Sequence, residues 1–320
     1  MHILIPFAAP AGPDCQRALG QLQPSQLPHL SQLLRQLAPN QTLQSTPQDL
    51  NPTFERVQAC SLGLPDTNGL IPWAARDAVR LGLSPANGTN PPGGWAWITP
   101  CHWKVNADHV EMQDPTDLAL SDAETSTLME AMRGYFAEDG IALHALSAGT
   151  WLAHGAVFDD LASASLERTR GARIDTWMPR QPQAKTLRRL QNEMQMLLYT
   201  HPLNDARAAR RQTSVNSFWV SGTGALPVPN ANQTAAPPPE PVTPFTSLRA
   251  AAMRDDAAAW LDAWHTLDRT VLAAADPRTL TLTLCGEQQA LTLANAADSW
   301  LARLRRRFAA PSPSQILATL

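Results

Sequence analysis

The chain has 320 residues, of which 44% are hydrophobic and 17% charged, so it can bury a large core and is not disordered throughout. Its 25 basic and 28 acidic side chains give a formal charge of -3, which provides no bulk positive field to attract nucleic acid or an anionic membrane. The 28 prolines predict many turns and long connections.

The cysteines and the amino terminus indicate the cellular setting. No CxxC pair occurs, so neither a zinc ribbon nor a redox dithiol is predicted, and we expect no metal and no cofactor. The first residues are too short an apolar run, and lack the basic residues, for a signal peptide, and no run approaches the length of a membrane span. We therefore expect a cytoplasmic protein, with the four cysteines reduced: Cys15, Cys60, Cys101 and Cys285.

The first third of the chain contains strand and helix patterns. His2–Phe7 is a short apolar run closed by proline and glycine, which predicts a buried strand. Leucines recur every three or four residues over Leu27–Leu37 and predict an amphipathic helix. A second helix is predicted over Pro47–Ala59, beginning on the proline. After the turn-rich stretch Ser84–Gly94, two strands are predicted within Trp95–Met112.

The central part continues the alternation. Ser121–Glu124 has the spacing of a capping box and predicts the start of a helix. Asp139-Gly140 predicts a turn into a strand near Ile141–Leu146, and another extended segment begins at Thr150. Lys185–Thr200 carries an apolar stripe of about four helical turns. This alternation predicts an α/β fold with a mixed sheet and flanking helices.

A proline-rich stretch, 226–244, predicts an extended linker and a domain boundary. We therefore predict an α/β domain over 1–226, a linker over 227–245 and a small α+β region over 246–320. Within that last region, a helix through Trp260 and Trp264, a hairpin about Gly286 and a final helix through Trp300 and Phe308 are expected.

Common catalytic signatures are missing, since the sequence has no P-loop, HExxH, GxSxG or dinucleotide-binding motif. Several weaker candidates are better explained structurally. We interpret them as follows: Gly222-Thr223-Gly224 as a turn; Cys101, His102 and His109 as ordinary buried or surface residues; Asp108-His109 as a chance neighbour pair; and Arg303, Arg305, Arg306 and Arg307 as a solvated helix face.

The segment Asn192–Gly224 is the densest in polar motif residues. Its candidate ligand-binding residues are His201, Asn204, Arg207 and Asn216. Guanidinium and amide groups at a helix-to-strand junction can hold an anion. The same residues can instead cap a helix and pin a turn without any ligand. The sequence leaves both alternatives open.

This segment resembles the bacterial RpfE-type regulatory family. The resemblance lies in His201-Pro202-x-Asn204, then Arg207, Asn216-Ser217-x-Trp219 and Gly222-x-Gly224, and it extends loosely from about Trp95 to Leu226. More distantly, the same passage is similar to archaeal-type cofactor-independent phosphoglycerate mutases of the alkaline phosphatase superfamily. That resemblance implies an alkaline-phosphatase-like scaffold and, in active members, two divalent metals with a nucleophilic serine.

The chain departs from the mutase pattern at the positions that would carry the chemistry. The first strand is followed by AAPAGPDC, in which Asp14 is the only acid, and Ser221 stands where the mutases have an arginine before Gly-x-Gly. Without its metal ligands such a centre cannot clamp the reacting oxygens. We therefore expect a non-catalytic relative that binds a protein partner or a small anionic ligand. The alternative is an active metal-dependent mutase or phosphatase.

Overall fold

A computed structural model describes residues 1–83, 93–227, 242–295 and 311–320. Its strands, in chain order, are β1 His2–Ala9, β2 Ala38–Gln44, β3 Gly94–Cys101, β4 Trp103–Val105, β5 Val110–Met112, β6 Ala142–Ser147, β7 Thr150–Gly155, β8 Ser217–Gly224, β9 Val242–Pro244, β10 Thr281–Gly286 and β11 Gln289–Ala294.

The helices of the described residues flank these strands. They are α1 Pro13–Gln21, α2 Pro28–Gln36, α3 Thr53–Ser61, α4 Trp73–Arg80, α5 Asp122–Glu138, α6 Leu166–Thr169, α7 Ile174–Trp177, α8 Ala184–Tyr199, α9 Pro202–Ala209, α10 Arg249–Met253, α11 Ala257–Thr270 and α12 Pro313–Leu317. Within the described ranges, no helix combines the length and the apolar character that crossing a bilayer requires.

The chain divides into two compact units. Unit 1 comprises Met1–Gln48, Pro52–Gly63 and Ala236–Leu320, and unit 2 comprises Asp49–Asn51 and Leu64–Ala235. The predicted limits lie at residues 226 and 246, and this division differs from them. The reason is that β1, at the start of the sequence, pairs with β9 and β10 from the last quarter of the chain. Pairing of that kind is set by tertiary structure, which local proline content does not reveal.

Unit 1 contains a mixed five-stranded sheet in the order β2-β11-β10-β1-β9. β1 is parallel to both of its neighbours, β10 and β9, whereas β11 is antiparallel to β10 and to β2. The apolar run of β1 is explained by this position, since a strand inside a parallel sheet is covered on both faces. The predicted mixed α/β fold with flanking helices is confirmed.

Two helices of unit 1 are capped by carboxylates distant in sequence. The positions before α1 and α2 are Gly12 and Leu27, and neither supplies a side-chain cap. Asp255 accepts hydrogen bonds from the Asp14 and Cys15 amides at 3.0 and 2.9 Å. Asp268, which is fully buried, accepts from the His29 and Leu30 amides at 3.2 and 2.7 Å. Carboxylates at helix amino termini satisfy amides that have no intrahelical partner.

Unit 2 contains an antiparallel sheet in the order β6-β7-β3-β8, beside a small β4–β5 hairpin. Apolar residues of α5 and α8 pack on one side of this sheet, and alanines of α4 pack with Trp95 and Leu152 in a separate cluster. The predicted capping box is confirmed, because the Ser121 side chain accepts from the Glu124 amide and the Glu124 side chain accepts from the Ser121 amide.

Other local predictions differ in detail. The helix predicted from Pro47 begins at Thr53, where Pro52 precedes the first turn. The segment predicted as two strands forms β3, β4 and β5. Gly222 and Gly224 lie inside β8 and not in a turn; Gly222 has a φ of 63°, and a Cβ there would lie 2.8 Å from the Trp97 ring. Close packing against that ring explains the glycine.

Some predictions concern residues outside the described ranges. These are most of the turn-rich stretch 84–94, most of the linker 227–245, and the final helix through Trp300 and Phe308 together with the arginines at 303 and 305–307.

Asp268→Ala tests the long-range capping in unit 1. The substitution leaves the His29 and Leu30 amides without their acceptor in a buried place, so we expect a loss of about 2 kcal/mol in the free energy of unfolding. Asp262→Ala, on the exposed side of the same helix, is the control and should change stability by less than about 0.5 kcal/mol. Urea denaturation followed by circular dichroism measures both. Equal losses in the two variants would show that the Asp268 cap contributes nothing.

Candidate functional site

The predicted ligand-binding residues lie together in unit 2, at the junction of α8, α9 and β8. Arg207 is 1% exposed. Its Nε donates to Thr213 O at 2.8 Å, and its terminal nitrogens donate to Leu118 O at 2.6 Å and to Glu124 Oε1 at 3.0 Å. The guanidinium is therefore bound by two backbone carbonyls and one carboxylate of the protein itself.

Glu124 connects this arginine to the start of α5. Its Oε1 also accepts from exposed Arg210 at 2.7 Å, and its Oε2 accepts from the Ser121 amide at 3.0 Å. Partial burial raises the pKa of the Glu124 carboxyl, but hydrogen bonds from Ser121 and Arg207 outweigh it and bring that pKa below its ordinary value. The carboxylate thus stays ionised at neutral pH and pairs with the buried cation.

The two asparagines bind backbone groups. Asn204 Nδ2 donates to Leu198 O and to Val215 O, both at 2.8 Å, and its Oδ1 accepts from Val215 N at 2.9 Å. Asn216 Oδ1 accepts from Trp103 N at 2.7 Å while its Nδ2 donates to Trp103 O at 2.9 Å. Each side chain substitutes for a backbone partner where regular structure ends.

His201 stands at the amino-terminal cap of α9. Its Nδ1 accepts a hydrogen bond from Leu203 N at 3.1 Å, and Pro202 occupies the first turn, where its missing N–H is not needed. All four predicted residues are therefore close in space and engaged with protein atoms. This geometry favours the architectural alternative over a preformed anion site.

The weaker candidates also have protein partners. Cys101 is fully buried, which raises the pKa of its thiol, and His102 Nδ1 lies 2.8 Å from Ser214 O. His109 pairs with neighbouring Asp108 at 2.7 Å. No group of three or more histidine, cysteine, aspartate or glutamate side chains in the described part of the chain could hold a metal ion. The described residues therefore do not fit the two-metal centre that the mutase resemblance implies.

A cavity of about 510 Å³ lies in unit 1, at the edge of the sheet where β1, β2 and β10 end. We call it the carboxyl-edge cavity. Open α/β sheets bind their ligands at this edge. Its lining consists of Ala9, Ala11, Gln16, Gln44, Ser45, Glu287, Gln288, Gln289, Ala318, Thr319 and Leu320.

Sequence reasoning missed this cavity. The β10–β11 hairpin that carries Gln288 was predicted, but β2 was not, and its sequence APNQTLQ has no apolar alternation. The parallel pairing of β1 with β10, which brings Ala9 beside Gly286, has no local signal in the sequence. The sequence holds one weak indication of a polar site here, which is the pair Gln288-Gln289 at the predicted turn about Gly286.

The helix that follows β1 is closed to an external anion. Asp255 holds the Asp14 and Cys15 amides, and these hydrogen bonds lower the pKa of its carboxyl. A Cβ at Gly12 would lie 2.1 Å from Asp255 Oδ1, so the glycine makes room for this carboxylate. The amide groups that commonly receive phosphate after such a strand are thus already occupied.

No model of a known protein family matches the chain, and no curated protein matches it. Among solved structures, it is similar to the PH0037 protein from Pyrococcus horikoshii, with 12% identity and a TM-score of 0.47 over 92% of this chain and 87% of that one. It is also similar to the cofactor-independent phosphoglycerate mutase from Thermoplasma acidophilum DSM 1728, with 13% identity and a TM-score of 0.37 over 100% and 98%.

Arg207 and Arg210 donate to the same Glu124 oxygen, but Arg207 is buried and Arg210 is exposed. The variants Arg207→Met and Arg210→Ala therefore compare the contributions of a buried and an exposed arginine to stability. Removing Arg207 leaves the Thr213 and Leu118 carbonyls without their donor and takes the buried cation away from Glu124, so we expect a loss of about 3 kcal/mol in the free energy of unfolding. Arg210 is 55% exposed, and its loss should cost less than about 1 kcal/mol. Denaturant titration of both variants measures the difference. Equal, small losses would contradict an architectural role for Arg207.

Proposed function

We propose that this chain is a regulatory protein of the cytoplasm that binds a ligand or partner on a phosphoglycerate-mutase-like scaffold and does not transfer phosphoryl groups. The RpfE-type and mutase resemblances suggest the scaffold and the regulatory role. The observation that carries the proposal is the chemistry of the carboxyl-edge cavity, whose lining is mostly carboxamides, hydroxyls and small apolar groups.

The lining does not fit metal-assisted phosphoryl transfer. A two-metal centre needs several carboxylate or imidazole ligands to clamp the attacking and leaving oxygens. Among the described residues around this cavity, Glu287 carries the single side-chain carboxylate, and none is a histidine. The lining can bind and orient a polar molecule through hydrogen bonds, which is what a binding protein requires.

The closed amino terminus of α1 supports the same proposal. A phosphorylated substrate seated after β1 would have to displace Asp255 from two amides that already hydrogen-bond to its carboxylate. Displacement would bring two anions close together, which is unfavourable. The active metal-dependent mutase or phosphatase remains the competing function.

Metal content and turnover separate these functions. On the purified full chain, elemental analysis should find no stoichiometric Mn²⁺ or Zn²⁺, and 3-phosphoglycerate and p-nitrophenyl phosphate should not be turned over, with or without added Mn²⁺. About two bound metal ions per chain, together with turnover that a chelator abolishes, would establish the enzyme and contradict the binding role.

A further inference from the structure

Helix α8 of unit 2 presents one exposed stripe to solvent. Its opposite side is buried in the core of unit 2 and consists mainly of leucines and methionine. Residues spaced by three and four along a helix lie on one face. The residues with this spacing on the outer side are all exposed: Lys185, Arg189, Asn192, Met196 and Tyr199. With a rise of about 1.5 Å per residue, the stripe is roughly 21 Å long. We call it the α8 stripe.

The carboxyl-terminal end of the α8 stripe is apolar. Met196 is 77% exposed and Tyr199 is 87% exposed, and the two stand one helical turn apart. A single exposed apolar side chain is ordinary, but neighbouring large ones form a patch of the kind that marks a contact with another molecule. Tyrosine and methionine are also enriched in protein–protein interfaces. This end of the stripe therefore fits apolar side chains of a partner.

The amino-terminal end of the α8 stripe is positive. The stretch 176–192 contains four basic residues and no acidic one. One of the four, Arg189, is bound by the carboxylates of Asp139 and Glu193. The other three are Arg180, Lys185 and Arg188. Four positive charges against two negative ones leave +2 at this end of the helix.

These cations stand where a helix ordinarily carries acidic side chains. The amino end of a helix has a partial positive charge, so cations there are unfavourable and anions are favourable. Helix α8 has no acidic residue in its first turn and no side-chain cap, whereas Lys185 lies in that turn and Arg188 in the next. Departures from a local rule are expected at functional positions. The carboxylates of a partner would be attracted both by the cations and by the helix end.

We propose that the α8 stripe docks a segment of a partner protein that carries apolar side chains at one end and aspartate or glutamate at the other. This inference rests on the proposed regulatory function and names the chemistry of the partner. An anionic membrane fits the stripe less well, because the carboxylates of Asp139 and Glu193 lie beside Arg189 and repel a uniformly negative surface. A peptide can instead place its carboxylates at the cationic end alone.

Selection of peptides on the full chain tests the proposal. A displayed library of random peptides, each about as long as α8, is selected for binding to the wild type and against binding to the double variant Met196→Ser/Tyr199→Ser. Both side chains are exposed, so the variant should fold as the wild type does, which circular dichroism checks. The enriched peptides should combine large apolar residues with aspartate or glutamate.

The most enriched peptide is then the probe for affinity, measured by fluorescence anisotropy. The double variant should bind it about tenfold or more weakly, because the apolar contact is lost. Lys185→Glu should weaken binding about fivefold, and added salt should weaken the wild-type complex, because the acidic end of the peptide loses its attraction.

Two substitutions on β4 are matched controls. Val105 is 78% exposed, like Met196, and Lys104 is exposed, like Lys185. Val105→Ser and Lys104→Glu make the same chemical changes outside the α8 stripe, so both should leave the affinity for the peptide unaltered.

Several results would overturn the inference. These are a selection that yields no peptide preferring the wild type to the double variant, enriched peptides without acidic residues, and control variants that weaken binding as much as those of the stripe. Dimerisation in analytical ultracentrifugation that Tyr199→Ser abolishes would assign the stripe to a second copy of the chain. Co-sedimentation with phosphatidylserine vesicles that Tyr199→Ser abolishes would assign it to a membrane, and either assignment would replace the protein partner.

Failure of the proposed function is seen separately, as metal-dependent turnover. A chain without turnover whose stripe selects no peptide would retain the binding role and lose only this partner.

Discussion

The buried guanidinium of Arg207 fixes the arrangement of unit 2. A cation removed from water is tolerated only when its donors are bound and its charge is paired. Here the partners come from separate places in the sequence: Leu118 and Glu124 around the start of α5, and Thr213 in the loop before β8. Those segments must therefore take their observed positions together. Asn204 and Asn216 extend the same network to the end of α8 and the start of β4.

In unit 1, charged side chains also hold distant segments together, but there the charges are the negative carboxylates of Asp255 and Asp268. Its first two helices have no side-chain caps of their own, and carboxylates from the carboxyl-terminal part of the chain, Asp255 and Asp268, satisfy their free amides. In the sheet, β1 lies between β9 and β10, so strands from the two ends of the sequence are paired there as well. The amino-terminal and carboxyl-terminal parts of the chain consequently share one core, and the amides after β1 are closed to an external anion.

Local patterns predicted the elements well where one physical rule dominates. The apolar run of β1, the leucine stripe of α2, the capping box of α5 and the β10–β11 hairpin could all be read from neighbouring residues. The pairing of strands distant in sequence has no such local pattern, so the domain limits differ from those predicted. The roles of Arg207, Asn204 and Asn216 were open for a physical reason: guanidinium and amide groups bind a ligand or the backbone with the same chemistry, and only the position of their partners distinguishes the two. The carboxyl-edge cavity depends on β2 and on parallel pairing, which have no periodic signal.

Arg207 and the asparagines of unit 2 bind protein atoms of that unit, whereas the proposed ligand site is the carboxyl-edge cavity of unit 1. Native-state hydrogen exchange tests this separation most directly, because the Leu203 and Val215 amides donate to His201 and Asn204 within the segment. If the segment is architectural, 3-phosphoglycerate or inorganic phosphate leaves the exchange rates of these two amides unchanged. Slower exchange at Leu203 and Val215 when either anion is added would instead show that the segment binds anions.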